Sequence, residues 1–306
     1  MKENRLVFTL LFLLSAAVFQ LPAQQNEADR KLVAEIRARA EMGDAKSQER
    51  LGAAFFLGKG GLTKDEVEAV KWFRKAAEQN VADAQFSLGV CYANGQGVTK
   101  DDAEAVKWFR KAAEQNYARA QYNLGVRYAK GQGVAKDDAE AVKWFRKAAE
   151  QNDARAQAAL GVCYATGQGV AKNKAEAVKW YRKAAEQNVA DAQYNLGVCY
   201  ANGQGVTEDD AESVKWFRKA AEQNLADAQY NLGVCYDSGE GVAKDEVEAY
   251  KWWLLAAGQG NDDAKYNMTI VENKMTREQI AEGQRLARDF KPRKVPSEGS
   301  DARLPP

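Results

Sequence analysis

Apolar and small residues recur along this chain at helical spacing, and the pattern restarts every 36 residues. Trp72, Trp108, Trp144, Trp180, Trp216 and Trp252 mark the register. In the stretch from Val81 to Asn116, Ala84, Leu88, Cys91 and Tyr92 fall on one face of a first helix, helix A. Gly95 is placed to end it in the left-handed conformation, which glycine adopts without a Cβ penalty. Gln96, Gly97 and Val98 turn the chain. Asp101 then caps a second helix, helix B, with Glu104 three residues on to complete a capping box. The same pairing recurs as Asp65/Glu68, Asp137/Glu140, Asn173/Glu176, Asp209/Glu212 and Asp245/Glu248. Helix B packs through Val106, Phe109, Ala112 and Ala113, the small alanines letting neighbouring helices approach closely. A repeated Trp in this register is read as packing between units rather than as a ligand-stacking ring.

A period of this length predicts a solenoid, in which each unit buries its apolar face only against its neighbours. Residues 43–260 form six such units. Residues 24–42 hold a lone helix of the B type in front of them, and residues 261–291 hold a closing helix pair, with Thr276 and Gln279 capping the last helix. Residues 292–306 are proline-rich and polar and are expected to be a disordered tail. At the other end, Lys2 and Arg5 precede a short apolar run from Leu6 to Phe19. Together with a small residue at Ala23, this describes a cleavable export signal over residues 1–23, cut after Ala23, and a periplasmic or secreted protein without a membrane span after cleavage.

The residues of these units carry a resemblance. The run A-D-A-Q-F-S-L-G-V-C-Y-A-N-G-Q-G-V, followed by A-V-K-W-F-R-K-A-A-E-Q-N, resembles the Sel1-like repeat, a bacterial relative of the tetratricopeptide repeat. The resemblance covers residues 43–260. It implies an all-α fold, an α/α solenoid wound as a right-handed superhelix, with helix A lining the concave surface. It also implies an adaptor or scaffold role, with no catalytic residues to carry over.

Composition narrows the chemistry. Histidine is absent, which removes the Ser-His-Asp and Cys-His catalytic sets and any histidine-containing zinc site. Without Lys2, Glu3 and Arg5 the remaining chain carries 42 charges of each sign, so no global field draws it to nucleic acid or membrane. Cys91, Cys163, Cys199 and Cys235 occupy one helix-A position in four copies. Such positions on packed neighbouring helices lie about 8–10 Å apart, whereas a disulfide needs Cα atoms within roughly 7 Å. Buried free thiols are expected, and neither a metal site nor a cofactor. The cysteine-rich branch of the family, associated with binding or hydrolysing β-lactams, has two cysteines per repeat bridging helices A and B, and this chain has one. There is no S-x-x-K or G-x-S-x-G motif. The Gly-x-Gly of five loops lacks the third glycine of a phosphate-binding fingerprint and is read as a turn maker.

Copy-to-copy differences gather in helix A. In the third unit Arg119, Asn123, Arg127 and Lys130 fall on one helical stripe, Arg127 replacing the cysteine of the copies on either side. Arg155 opens the fourth unit at the position of Arg119, where Asp83, Asp191 and Asp227 stand in other copies. Asn195 and Asn231 repeat Asn123 and could bond an extended peptide backbone. These residues form a candidate clamp for the carboxylate terminus or acidic segment of a protein or peptide partner. A solvated charged face with drifted copies is the competing reading. At the level of the whole chain an interaction scaffold competes with a β-lactam-handling enzyme and with a secreted effector or adhesin.

Overall fold

The computed structural model describes residues 27–293, which hold fifteen helices and no strand. The expected export signal and residues 294–306 of the expected tail lie outside the described residues. The fold is all-α, of the α/α solenoid class. Contacts divide the chain into two compact units, the first running to Lys136 and the second starting at Asp137.

The first unit holds α1 (residues 27–41), α2 (Ala45–Leu57), α3 (Glu66–Glu78), α4 (Ala82–Asn94), α5 (Asp102–Glu114) and α6 (Ala118–Lys130). The second holds α7 (Asp138–Glu150), α8 (Ala154–Thr166), α9 (Lys174–Glu186), α10 (Ala190–Ala201), α11 (Asp210–Glu222), α12 (Ala226–Ser238), α13 (Glu246–Gly258), α14 (Asp262–Glu272) and α15 (Arg277–Asp289). Even-numbered helices up to α12 are the A helices, and odd-numbered ones from α3 to α13 are the B helices. Each copy contributes one fully buried leucine, from Leu51 and Leu88 to Leu196 and Leu232, worth about 2 kcal/mol apiece in apolar burial. Trp108 joins the cluster formed by Ala69, Phe73, Leu88 and Cys91 of the preceding helices, and Trp252 does the same with Val214, Phe217 and Leu232. The repeated tryptophan is therefore mortar between copies.

Local signals at the helix ends behave as their chemistry dictates. Gly95 adopts φ +70°, and its N–H donates to the Cys91 carbonyl. Each B helix from α3 to α13 starts on an Asp or Asn side chain that accepts from the backbone N–H three residues on, as Asp101 does from Glu104 at 2.9 Å. The capping box is completed at Thr276 and Gln279. At Glu104 and its counterparts the carboxylate turns instead to the lysine one turn on, as in Lys107 to Glu104 at 2.8 Å. A full opposite charge within reach outcompetes the neutral N–H of the cap residue.

Two residues just past α15 are also held. Arg293, within the expected tail, is tied to α11 while its side chain stays exposed. Phe290 lies edge-on to Trp252, and the Arg293 N–H donates to the Glu222 carbonyl at 2.7 Å.

Candidate functional site

The candidate clamp sits on helices that differ in how far they commit their polar groups. In α6, Arg119 at the first turn and Lys130 at the last are exposed. They are eleven residues apart, about 16 Å along the helix. No hydrogen bond or ion pair to a described residue engages either head group. Asn123 spends a donor on the Arg119 carbonyl at 2.8 Å. Arg127 does not join a free stripe. Its guanidinium donates to the Asp102 carboxylate at 2.8 Å and to Gln132, and lies 5.9 Å over the Phe109 ring. Its side chain is only 15% exposed. Replacing a buried cysteine with arginine at this position turns the side chain onto the start of the preceding B helix, whose first residue is an aspartate.

In the second unit, Arg155 is half-buried and pairs with Asp153, the N-cap of its own helix, at 3.0 Å. Asn231 reaches the Asp227 carbonyl at 3.1 Å and the Tyr194 hydroxyl at 3.4 Å. Asn195 is half-buried beside a different neighbour: Ala158 stands where Tyr194 would be one copy later, so the hydroxyl that Asn231 meets is missing for Asn195. The two cations available to a partner on α6 are therefore Arg119 and Lys130.

Acidic groups lie near Arg119 in the first unit. Burial, and then the Asp83 carboxylate, push the Glu49 carboxyl above its usual value. Burial and the same Asp83 raise the Tyr117 hydroxyl. A carboxyl raised in the folded state binds more protons folded than unfolded, so its contribution makes stability fall as pH climbs through the unfolded value of about 4.3. Glu49→Gln accordingly raises the thermal midpoint at pH 7 and leaves it unchanged at pH 3.5, which circular dichroism melts at the two pH values measure.

The four thiols are free, three of them buried and Cys235 half-buried rather than buried. Burial pushes Cys91 up to about 12, and Cys163 and Cys235 up to about 11. A thiol in that range holds almost no thiolate at neutral pH and is a poor nucleophile. Among the described residues no cluster of histidine, cysteine, aspartate or glutamate has the arrangement of a metal site, and no helix is long and apolar enough to cross a membrane.

A polar feature escaped the reading of the sequence. Gln85 is 1% exposed, and its Nε2 donates to the Ala77 carbonyl and to Asn80 Oδ1, both at 3.1 Å, while its Oε1 accepts from Gln115 Nε2 at 2.7 Å. The same rung joins Gln79 to Gln48, Gln187 to Gln157, Gln223 to Gln193 and Gln259 to Gln229, each at 2.7 Å. Asn80, Asn116, Asn152, Asn188 and Asn224 take φ between 63° and 68° after each B helix. Asparagine tolerates that conformation, and at Asn80, Asn116, Asn152 and Asn224 its side chain adds an acceptor that glycine lacks. The signal was legible: Gln85 stands three residues before Leu88, on the apolar stripe, in all six copies. A buried amide with its hydrogen bonds met fixes how neighbouring helices meet.

The Sel1 repeat family model matches the chain six times in succession, at residues 45–81, 82–117, 118–153, 154–189, 190–225 and 226–261. The chain is similar to a crystal structure of a Sel1 repeat protein from Oxalobacter formigenes, with 37% identity, a TM-score of 0.64, and coverage of 70% of this chain and 85% of that one. It is also similar to c5321, a protective antigen of uropathogenic Escherichia coli with an SLR fold, at 28% identity and TM-score 0.38 over 85% and 79% of the two chains. Helicobacter pylori cysteine rich protein B is 32% identical over 42% of this chain and 92% of its own, with TM-score 0.35. No curated protein matches the chain.

Proposed function

The chain belongs to the Sel1 repeat family, whose repeats mediate protein–protein interaction, and on that premise we propose that it is a non-enzymatic scaffold whose third repeat takes an acidic peptide segment or a carboxylate terminus. The carrying observation is the pair of uncommitted cations on α6. Arg119 and Lys130 stand exposed at its two ends, where the second, fifth and sixth copies have Asp83 with Asn94, Asp191 with Asn202, and Asp227 with Ser238. A planar guanidinium grips a carboxylate in two places, and a lysine about 16 Å away adds a second anchor for an extended acidic segment. Arg155, Asn195 and Asn231 hold the matching positions on A helices of the second unit, where they form a separate candidate surface. Arg127 supports the site from behind by holding α6 to the start of α5.

The non-enzymatic reading draws on the thiols, which burial keeps protonated, and on the lack of a histidine to activate any nucleophile. Export to the periplasm or beyond is part of the same proposal and draws on the charged and apolar pattern of residues 1–23. A photo-crosslinking residue at Asn123 in native cells, read by mass spectrometry, tests the site. We expect capture of a protein through an acidic or C-terminal peptide, and loss of that capture in the Arg119→Glu, Lys130→Glu double variant. Capture that survives the double charge reversal removes the clamp.

A further inference from the structure

At the end of the second unit the chain seats a piece of itself. Residues 290–293 leave α15 and run from Trp252, midway along α13, to the C-terminal end of α11. The Phe290 ring meets Trp252 edge-on, with centroids 5.6 Å apart and planes at 73°. Three residues on, the Arg293 N–H donates to the Glu222 carbonyl at 2.7 Å, and its guanidinium stands 3.8 Å from the Glu222 carboxylate. The last carbonyls of a helix have no partner within it and carry the negative end of its dipole. An extended segment bringing an N–H and a cation satisfies both.

Glu222 and Trp252 are repeat positions. Two periods earlier they are Glu150 of α7 and Trp180 of α9. These two residues border an open cleft of about 430 Å³, shared with Asn152, Lys183 and Glu186. Trp252, under Phe290, is 4% exposed, while Trp180 is half-buried. Two positions differ between the filled groove and the open one. Leu255 becomes Lys183, whose ammonium lies 4.5 Å over the Trp180 ring, and Gly258 becomes Glu186. A lysine also lies over the ring in the filled groove, Lys251 at 4.3 Å from Trp252, so what the open cleft adds is Lys183 in the place of Leu255 and a second carboxylate, Glu186, in its lining.

We propose that the cleft between α7 and α9 binds an extended basic peptide in which an aromatic residue is followed three positions later by arginine. The ring settles on Trp180, displacing the Lys183 ammonium, and the guanidinium pairs with Glu150. Glu186 adds negative charge that the last groove lacks and favours further basic residues in the ligand. Because a lysine must yield its place, this cleft holds its ligand more loosely than the last groove holds Phe290, which suits a partner that comes and goes. The occupant is a segment of another protein, since this chain's own Phe290 and Arg293 are already seated on Trp252 and Glu222. The site is independent of the cations on α6 and selects the opposite charge.

A fluorescein-labelled peptide copying residues 289–294, Asp-Phe-Lys-Pro-Arg-Lys, serves as the probe for anisotropy titration of the full chain. We expect saturable binding, weakened about tenfold by alanine in place of the peptide phenylalanine. Glu150→Arg, a change on an exposed surface, is expected to weaken binding about fivefold, and glutamate in place of the peptide arginine restores it. Trp180→Ala gives the same loss as removing the peptide ring, and Trp180→Phe recovers most of it should the alanine variant fail to fold. No saturation up to about 1 mM, or a Glu150→Arg chain that binds as tightly as its parent, overturns the proposal.

Discussion

Alanine at Gly205 is expected to destabilise the protein by about 4 kcal/mol, and alanine at Gly203, two residues away in the same loop, by only about 1 kcal/mol. Both glycines have positive φ, +58° at Gly203 and +75° at Gly205, so both substitutions carry the strain of a left-handed L-residue. Their surroundings separate them. A Cβ on Gly203 would find its nearest neighbour, the Glu208 Cβ, at 3.6 Å, an ordinary contact. A Cβ on Gly205 would stand 2.3 Å from the carbonyl carbon and oxygen of Lys174 and 2.7 Å from the Ala175 nitrogen. Those atoms are the first turn of α9, a B helix of the preceding repeat, and backbone cannot swing aside as a side chain would. The loop Gly-x-Gly thus does two jobs. Its first glycine ends a helix, and its second lets one copy lie directly on the previous one. Urea unfolding of the two single variants measures the difference, and equal losses would show that the close approach carries no energy of its own.

The second large effect is expected at Gln229. Its side chain is fully buried, donating to the Ala221 carbonyl at 3.2 Å and Asn224 Oδ1 at 3.1 Å and accepting from Gln259 at 2.7 Å. Gln229→Leu keeps the volume and removes every one of these bonds, leaving buried amide groups with fewer partners, at a cost of about 2–3 kcal/mol. Gln229→Glu is the sharper test. A carboxylate there still accepts from Gln259 but faces two oxygens, so the folded state favours the protonated acid and raises its pKa. Stability of that variant then falls as pH rises through the unfolded value of about 4.3. The expected order at pH 7 is parent, then leucine, then glutamate, with glutamate approaching the parent near pH 4. Urea midpoints at the two pH values read it directly, and a pH-independent glutamate variant would mean the rung is open to water.

What could be read from the chain in advance was what is encoded within a few residues. The stripe through Leu88, the Asp101 cap, the Gly95 stop and the mortar role of Trp108 each rest on neighbours in sequence or on strict repetition. What could not be read was the partner of a side chain in another helix. Arg127 looked free because its counter-charge, Asp102, lies 25 residues back on a different helix. Phe290 stands just past the end of α15, and nothing in its own segment points to Trp252. Gln85 lay between these cases. Its place on the apolar stripe was visible, yet identical letters in every copy read as background until its three hydrogen bonds gave it a role. Within the candidate clamp, position was legible and commitment was not. Arg119 and Lys130 stay available, while Arg127 and Arg155 are engaged by aspartates.

The amide rungs also bear on whether separate molecules can join end to end. A rung needs a glutamine at the end of a B helix, and Met42 stands at that position in α1. It needs a second glutamine on an A helix, and Lys265 stands there in α14, behind Gly260 in place of the asparagine. Lysine offers donors and no acceptor, and methionine has no amide, so Met42 and Lys265 cannot form the same rung with each other. A repeat protein with matching faces would be an open filament in waiting, each molecule templating the next. Here Met42 and Lys265 have replaced the connector, so the amide rung that joins helices within the chain is not repeated at α1 or α14.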